Sequence, residues 1–291
     1  MTCRTAAMIC ASLVSSDLAF GQISLRDDLG RSVTLPSPAQ CIVSLAPSIT
    51  ETLFAIGAGD QVCGVTDQCT FPPATRQKSH VGGMTNPSVE AIIGLHPDLI
   101  VMSMEGNTRP DFDRLTSLGV TVFVTNPRSL QGIRQSIEAL GVLTGHAEIA
   151  AKINAAISAR EDSVSRWSAG VRRRVLLLIS IDPLIAVGKH TFIDDLLRRA
   201  GGDNVAATAP GNYPALSREA VLSANPAVII ITDDLAPDVS TLLRHFPEWG
   251  QLEAAHEGRI YRIDSDLISR PGPRAIDGLE RLSQYFHPPR Q

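Results

Sequence analysis

The fold of this chain is decided by a stretch that occurs twice, as Pro87-Ser-Val-Glu-Ala-Ile-Ile-Gly-Leu-His-Pro-Asp-Leu-Ile-Val-Met-Ser103 and as Leu216-Ser-Arg-Glu-Ala-Val-Leu-Ser-Ala-Asn-Pro-Ala-Val-Ile-Ile-Ile-Thr232. Each copy has a short helix pattern, an X-Pro break and a run of branched apolar residues typical of a buried parallel strand. A second echo relates Glu51–Asp60 to Asp194–Asp203. Two similar halves predict two α/β lobes with mostly parallel sheets, and a ligand cleft between them.

The composition is that of a globular protein. Of 291 residues, 44% are hydrophobic and 19% are charged, which is enough apolar material for a core in each of two domains. The net charge is −4, and the longest basic run is Arg172-Arg-Arg174. We therefore expect no nucleic-acid partner.

The first residues resemble a secretory signal peptide. Arg4 precedes an apolar stretch over 6–14, and Ala19-Phe-Gly21 provides a small-residue cleavage pattern. The apolar part is too short to span a bilayer, and Cys10 follows an isoleucine, which fits a lipoprotein cleavage site poorly. We predict that residues 1–21 are removed and that the mature protein is periplasmic.

Three cysteines, Cys41, Cys63 and Cys69, would remain in the mature chain, an odd number for an oxidising compartment. Cys41 and Cys63 each stand at the start of a strand-like run, so neighbouring parallel strands would bring them near bridging range. Three unpaired thiols are an equally acceptable reading. Because no Cys-x-x-Cys occurs and the histidines are scattered singly, we expect no metal site and no cofactor.

Apolar periodicity sets the order of the elements. Alternation from Ile23 to Leu35 predicts a hairpin that turns at 28–30. Strands are predicted at 41–45, 62–66, 99–103 and 120–124 in the first lobe, and at 175–181, within 217–232 and at 259–263 in the second. Helices are predicted at 192–200 and 274–285.

A long helical stretch separates the two halves. The helical spacing of Ser129 to Thr144 stops at Gly145, and a second helix is predicted from His146 to Trp167. This second helix would be about 30 Å long and would limit how far the lobes swing. The predicted order is a signal peptide at 1–21, an N-terminal lobe at 22–145, a connecting helix at 146–168 and a C-terminal lobe at 169–291.

Motifs for catalysis are absent from the sequence. There is no Gly-x-Ser-x-Gly, and Gly188-Lys189 lacks the upstream glycine of a phosphate-binding loop. Ser48-Ile-Thr-Glu51 fits a capping box, and Glu219 stands in the first turn of a predicted helix. An exported enzyme or metal-binding protein is the alternative from another class, and it would need a nucleophile–base pair or a ligand cluster.

Four loops expected at the cleft rim combine apolar or aromatic groups with single polar side chains. This mixture suits a large ligand with a hydrophobic body and a polar edge. The loops are Gln68–Pro73, Gly82–Asn86, Gly211–Pro214 and Asp266–Arg274.

Three stretches resemble the helical-backbone periplasmic binding proteins for vitamin B12 and iron chelates. They are Cys41-Ile-Val-Ser-Leu-Ala-Pro-Ser-Ile-Thr-Glu-Thr-Leu-Phe-Ala-Ile-Gly-Ala-Gly-Asp60, then Val65-Thr with Phe71-Pro-Pro73, then Leu95-His-Pro-Asp-Leu-Ile-Val101. The likeness extends from Ile23 to Tyr285. It implies two lobes joined by one long helix, little lobe movement on binding, and delivery of the ligand to the permease of an ABC importer.

The resemblance also implies roles for single residues. One carboxylate on each lobe docks onto permease arginines in that family, and the matched positions are Glu51 and Glu219, with Glu51 expected to face outward. The implied ligand-binding residues are Gln68, Phe71, Met84, Tyr213, Asp266, Arg270 and Arg274.

The implied ligand follows from a partial match. Vitamin B12 receptors have a tyrosine at the position of Gln68 and a tryptophan at the positions of Met84 and Tyr213. The acid and the arginine that those receptors have in the last rim loop are matched here by Asp266 and Arg270. A corrinoid is the predicted ligand, with a ferric siderophore or haem as the alternative, since arginines suit either chemistry. We expect a monomeric, non-catalytic receptor.

Overall fold

The computed structural model describes residues 21–168, 170 and 172–287. The signal-peptide prediction, with Cys3 and Cys10, falls almost wholly on residues outside this range. Within the described ranges, no helix is both long enough and apolar enough to cross a membrane.

The chain opens with the predicted hairpin. Strands β1 (Ile23–Arg26) and β2 (Ser32–Leu35) pair antiparallel. The buried carboxylate of Asp27 accepts hydrogen bonds from two backbone N–H groups of the turn, and Gly30 adopts a φ of 77° that favours glycine. This prediction is confirmed.

The N-terminal lobe contains a five-stranded sheet flanked by helices. Its elements are β3 (Ile42–Ser44), α1 (Pro47–Ala55), β4 (Val62–Val65), β5 (Ser79–His80), α2 (Val89–Gly94), β6 (Leu99–Ser103), α3 (Arg109–Ser117) and β7 (Val122–Thr125). The strands are parallel, in the order β5-β4-β3-β6-β7. The four predicted strands are present, and β5 was missed because two residues carry no periodic pattern.

Two helices follow the first sheet. Helix α4 (Leu130–Thr144) begins after Ser129, whose side chain accepts from the N–H of Gly132, and ends at Gly145 with a φ of 77°. Helix α5 (Ala147–Trp167) has 21 residues. At 1.5 Å per residue it is about 30 Å long, as the sequence predicted.

The C-terminal lobe repeats the α/β arrangement. Its elements are β8 (Arg173–Ile181), β9 (Leu184–Ala186), α6 (Phe192–Arg199), β10 (Gly202–Asn204), α7 (Arg218–Ala224), β11 (Val228–Thr232), α8 (Val239–His245), α9 (Glu253–His256), β12 (Ile260–Ile263), α10 (Ser265–Ser269) and α11 (Ala275–Phe286). Strands β10-β8-β11-β12 are parallel, and β9 pairs antiparallel with β8. The predicted fold class is confirmed.

One apolar core runs through both lobes. It joins Leu53 and Ile133 of the first lobe to Ile157 of α5, and then to Leu196 and Leu279 of the second lobe. Because apolar contact is continuous across the connection, opening the lobes widely would expose buried apolar surface. This exposure would cost about 25 cal/mol of free energy per Å².

Ion pairs attach α5 to both sides. The Glu161 carboxylate on α5 accepts from Arg134 of α4 at 2.8 Å and from Arg199 of α6. Farther along, Arg160 donates to Glu280 and Asp277 of α11, each at 2.6 Å. Helix α5 is therefore held by polar contacts on two sides as well as by its apolar face.

A disulfide joins the first two sheet strands. Cys41, just before β3, is bonded to Cys63 in β4, with a Cα–Cα distance of 5.3 Å. Cys69 is a buried free thiol. Of the two readings that the sequence left open, the structure has the one with a disulfide between Cys41 and Cys63 and a free Cys69.

Candidate functional site

A cavity of about 620 Å³ lies between the lobes. Its N-terminal wall comes from the loops after β3, β4 and β6, where the chain leaves the carboxyl ends of parallel strands. That edge is where open α/β sheets bind ligands. Five predicted ligand residues line it, namely Gln68, Met84, Tyr213, Asp266 and Arg270.

The other two predicted residues lie together beside the cavity. The guanidinium of Arg274 stacks over the ring of Phe71 at 4.3 Å. Phe71 belongs to the N-terminal lobe and is 42% exposed, whereas Arg274 precedes α11. Their stacking is therefore a contact between lobes.

Side-chain amides hold the N-terminal wall. The Gln68 side chain accepts from the N–H of Met84 at 3.0 Å. Asn107 donates to the carbonyl oxygens of Met84 and Leu45 at 2.8 and 2.9 Å. Asn107 was missed by the sequence reasoning, although an asparagine closely following the strand Leu99–Ser103 was a usable signal.

A clamped loop forms the C-terminal wall. The N–H of Gly188 donates to the carbonyl of Asn212 at 2.8 Å, and the N–H of Ala186 donates to that of Pro214 at 3.0 Å. Between these two bonds, Tyr213 projects with 42% of its surface exposed. Partial burial, followed by the charge of Glu105, raises the pKa of Tyr213 to about 12.

A second pair of charges lines the same cavity. Glu105 and Arg128 both belong to its wall, and the distance between their Oε1 and Nη2 atoms is 3.9 Å. Neither residue was predicted from the sequence. Their opposite charges cancel within the wall.

The base of the cleft is crossed by an ion cluster centred on Glu51, which we call the Glu51 cluster (Glu51, Asp266, Arg270 and Arg274). Oε1 of Glu51 accepts from Arg270 at 2.9 Å and from Arg274 at 2.7 Å, and Oε2 accepts from Arg274 at 2.8 Å. Asp266 lies 2.8 Å from Arg270. Two carboxylates thus face two guanidinium groups.

Charge and burial act in opposite directions within the cluster. Burial is the largest influence on Asp266 and raises its pKa, against the two arginines that lower it. Hydrogen bonding to Glu51 raises the pKa of Arg274. The Glu51 side chain is only 2% exposed, compared with 15% for Arg270 and 22% for Arg274.

The expectation that Glu51 faces outward is wrong. Its carboxylate points into the interlobe cluster, where it supplies the counter-charge to two partly buried guanidinium groups of the second lobe. The capping box is also absent, since the N-cap of α1 is Ala46 and makes no side-chain bond. The rim segment Asp266–Arg274, expected to be a loop, begins within helix α10.

Glu219 and Glu90 occupy equivalent exposed positions. Glu219 lies in the first turn of α7 after the capping residue Ser217, and Glu90 lies in the first turn of α2 after Ser88. Backbone N–H groups lower the pKa of both carboxyls. The two residues stand at the same place in the repeated stretches Pro87–Ser103 and Leu216–Thr232.

Within the part of the chain that the structure describes, no group of three or more His, Cys, Asp or Glu residues could hold a metal ion.

Comparison with known proteins identifies the family. The sequence matches the periplasmic binding protein family over residues 42–267. The chain belongs to this family. An uncharacterized ABC transporter substrate-binding lipoprotein, YvrC of Bacillus subtilis (strain 168), is 30% identical to it over 275 residues, covering 91% of this chain and 86% of that protein.

Two solved structures share the fold. The periplasmic vitamin B12 binding protein BtuF of Vibrio cholerae aligns with a TM-score of 0.78 at 26% identity, covering 86% of this chain and 97% of that one. The periplasmic heme-binding protein RhuT from Roseiflexus sp. RS-1 aligns with a TM-score of 0.77 at 27% identity, covering 86% and 98%.

Family membership establishes the general role. This periplasmic binding protein is the substrate-binding component of an ABC transporter, and the prediction of a receptor instead of an enzyme is confirmed. Vitamin B12 and haem binders resemble it about equally. The chemistry of the cleft must therefore decide between the ligands.

Proposed function

We propose that this protein captures a corrinoid in the cleft between its lobes and delivers it to the permease of an ABC importer. The observation that carries this proposal is the charge balance of the cleft. Glu105 lies near Arg128, and Asp266 with Glu51 balances Arg270 and Arg274. A corrinoid presents a broad apolar ring with neutral amide arms, which suits a polar lining without excess charge.

Haem is the alternative, and the lining favours it less. Ferric haem needs an axial protein ligand such as histidine, methionine or a tyrosine phenolate. Among the described residues that line the cavity there is no histidine, which leaves Tyr213 and Met84 as the axial ligands available there. Met84 supplies a thioether, a softer ligand for ferric iron than phenolate.

The ligand proposal is tested by calorimetric titration of the purified mature protein with cyanocobalamin, haemin and ferrichrome. We expect saturable, sub-micromolar binding of cyanocobalamin and binding of the other two that is weaker by at least about tenfold. Tighter binding of haemin or ferrichrome would assign the protein to haem or iron uptake and contradict the corrinoid proposal.

For permease docking, we propose Glu90 together with Glu219. Both are exposed carboxylates at equivalent helix starts, one on each lobe, and an arginine on the permease could reach either without disturbing the fold. Charge-assisted pairs of this kind set the orientation and register of a transient interface. Glu90 also pairs with Arg114 at 2.9 Å, but both of those side chains are exposed. Glu51, in contrast, is buried and held by two arginines within the chain.

A paired substitution tests the docking proposal. Glu90→Ala with Glu219→Ala is expected to abolish transport in reconstituted vesicles, while the dissociation constant for the ligand changes less than about twofold. Glu148→Ala removes an exposed carboxylate from the first turn of α5 and serves as the matched control. Normal transport by the double variant would remove these two residues from the interface.

A further inference from the structure

Glu51 is the buried carboxylate of the Glu51 cluster, with only 2% of its side chain exposed. Its hydrogen bonds from Arg270 and Arg274 account for this burial without any contact to a ligand. We infer that Glu51 determines ligand specificity by neutralising Arg270 and Arg274, so that the cleft rejects polyanionic ligands. This inference rests on the proposed function, because it assumes that the cleft accepts a large cofactor-like ligand.

The hydrogen bonds show that both arginines are paired with carboxylates of the cluster. Three hydrogen bonds of 2.7 to 2.9 Å join Glu51 to the two guanidinium groups, and Arg270 also pairs with Asp266 at 2.8 Å. Arg270 lines the cavity, so its charge faces a bound ligand. With both carboxylates ionised, the four side chains have no net charge.

Removing one carboxylate would change that balance. Without the charge of Glu51, only Asp266 would oppose two guanidinium groups, and a positive charge would face the cavity through Arg270. In a partly desolvated cleft such a charge acts strongly on a multivalent anion. The affinity for a neutral ligand of the same size would change little.

The contacts also show why Glu51 is suited to this role and why Glu105 is not. Glu51 makes its bonds from the opposite lobe, 219 residues from Arg270 in sequence, and is almost completely shielded from water. Glu105 lies in the same cavity wall but approaches only Arg128, at 3.9 Å. Because the loss of Glu105 would itself leave Arg128 unbalanced in the cavity wall, the control must be a carboxylate that does not line the cavity. Glu148, exposed in the first turn of α5, removes equal charge without releasing Arg270 or Arg274.

The experiment compares two ferric chelates of different charge. Ferric enterobactin is a trianionic catecholate, whereas ferrichrome is an uncharged hydroxamate. Glu51→Gln keeps the side-chain shape and one carbonyl acceptor for an arginine. We expect it to bind ferric enterobactin at least about tenfold more tightly than the parent protein, with the gain decreasing at high salt, and ferrichrome to change less than about twofold.

Two further variants make the result specific. Glu148→Gln is expected to gain less than about threefold toward ferric enterobactin, because Glu148 is exposed and does not line the cavity. Adding Arg274→Gln to Glu51→Gln restores the charge balance and should remove the gain. If Glu51→Gln does not fold, Asp266→Asn removes the more exposed carboxylate of the same cluster and should increase affinity for ferric enterobactin in the same direction.

The outcomes separate this inference from the proposed function. An unchanged affinity of folded Glu51→Gln for ferric enterobactin, or an equal gain in Glu148→Gln, would overturn the role of Glu51, whether or not the protein binds cyanocobalamin. A gain confined to Glu51→Gln, together with a parent protein that does not bind cyanocobalamin, would support the role of Glu51 and overturn the corrinoid proposal alone.

Discussion

Gly188→Ala is expected to weaken ligand binding by moving the loop that carries Tyr213. A Cβ atom at Gly188 would lie 2.6 Å from the carbonyl oxygen of Gly211 and 2.8 Å from Cδ of Pro214, whereas ordinary contacts begin near 3.4 Å. The difference of 0.8 Å must be taken up by backbone, because the nearest atom belongs to the main chain. Overpacking of this kind costs about 1–3 kcal/mol of stability.

The displaced loop should lose part of its contact with the ligand. We expect the dissociation constant for the ligand to increase about tenfold, which corresponds to about 1.4 kcal/mol. The assay is calorimetric titration of the parent, Gly188→Ala, Tyr213→Ala and the double variant. If the glycine acts through Tyr213, the double variant should be no weaker than Tyr213→Ala, since the two changes remove the same contact.

Gly250→Ala is the matched control, because no atom lies within 4 Å of its added Cβ. It should bind ligand like the parent protein. Parent-like affinity of folded Gly188→Ala, or losses that simply add in the double variant, would refute the idea that Gly188 positions Tyr213.

Two further predictions concern stability. Reducing the disulfide between Cys41 and Cys63, which are 22 residues apart, should lower the free energy of unfolding by about 3 kcal/mol, because the unfolded chain gains loop entropy. Urea denaturation with and without dithiothreitol measures this change. A Cys41→Ser/Cys63→Ser variant whose stability still depended on the reductant would contradict the prediction. Arg160→Gln should cost about 0.5–1 kcal/mol at pH 7, because its pairs with Glu280 and Asp277 are partly exposed. The hydrogen bond from Arg160 lowers the pKa of Glu280 in the folded protein. This contribution is therefore fully present above the unfolded pKa of the carboxyl and is lost as the pH falls through the lowered folded pKa; a difference in urea midpoint that does not decrease between pH 7 and pH 3 would contradict it.

Much of the fold could be predicted because its elements leave local patterns. The buried parallel strands β6 and β11 appear as apolar runs, and α4 has both a capping serine and a terminal glycine. The rim residues Gln68 and Tyr213 were predicted from the resemblance to the helical-backbone binding proteins, and both line the same cavity. The elements of the fold needed only neighbours in sequence, whereas the rim residues needed a related protein for comparison.

The position of Glu51 could not be obtained in this way. The same letters fit a helix cap, but the partners that bury the carboxylate, Arg270 and Arg274, come from the other end of the chain. Glu90 is a different case, because the repeated stretch already aligns it with Glu219 and could have indicated it from the sequence. Burial and exposure of a charged side chain are decided by tertiary contacts, which no local pattern reports.

The continuous core and the braced helix α5 have a consequence for how affinity should be read. A receptor that must close on its ligand spends part of its binding free energy on the closing equilibrium, and its dissociation constant mixes the two. Here α5 is tied to both lobes by Glu161, so little of that equilibrium is left to shift. Dissociation constants of cleft variants should thus report ligand contacts directly. Because the lobes cannot open widely by themselves, we expect the transporter to supply the free energy that releases the ligand.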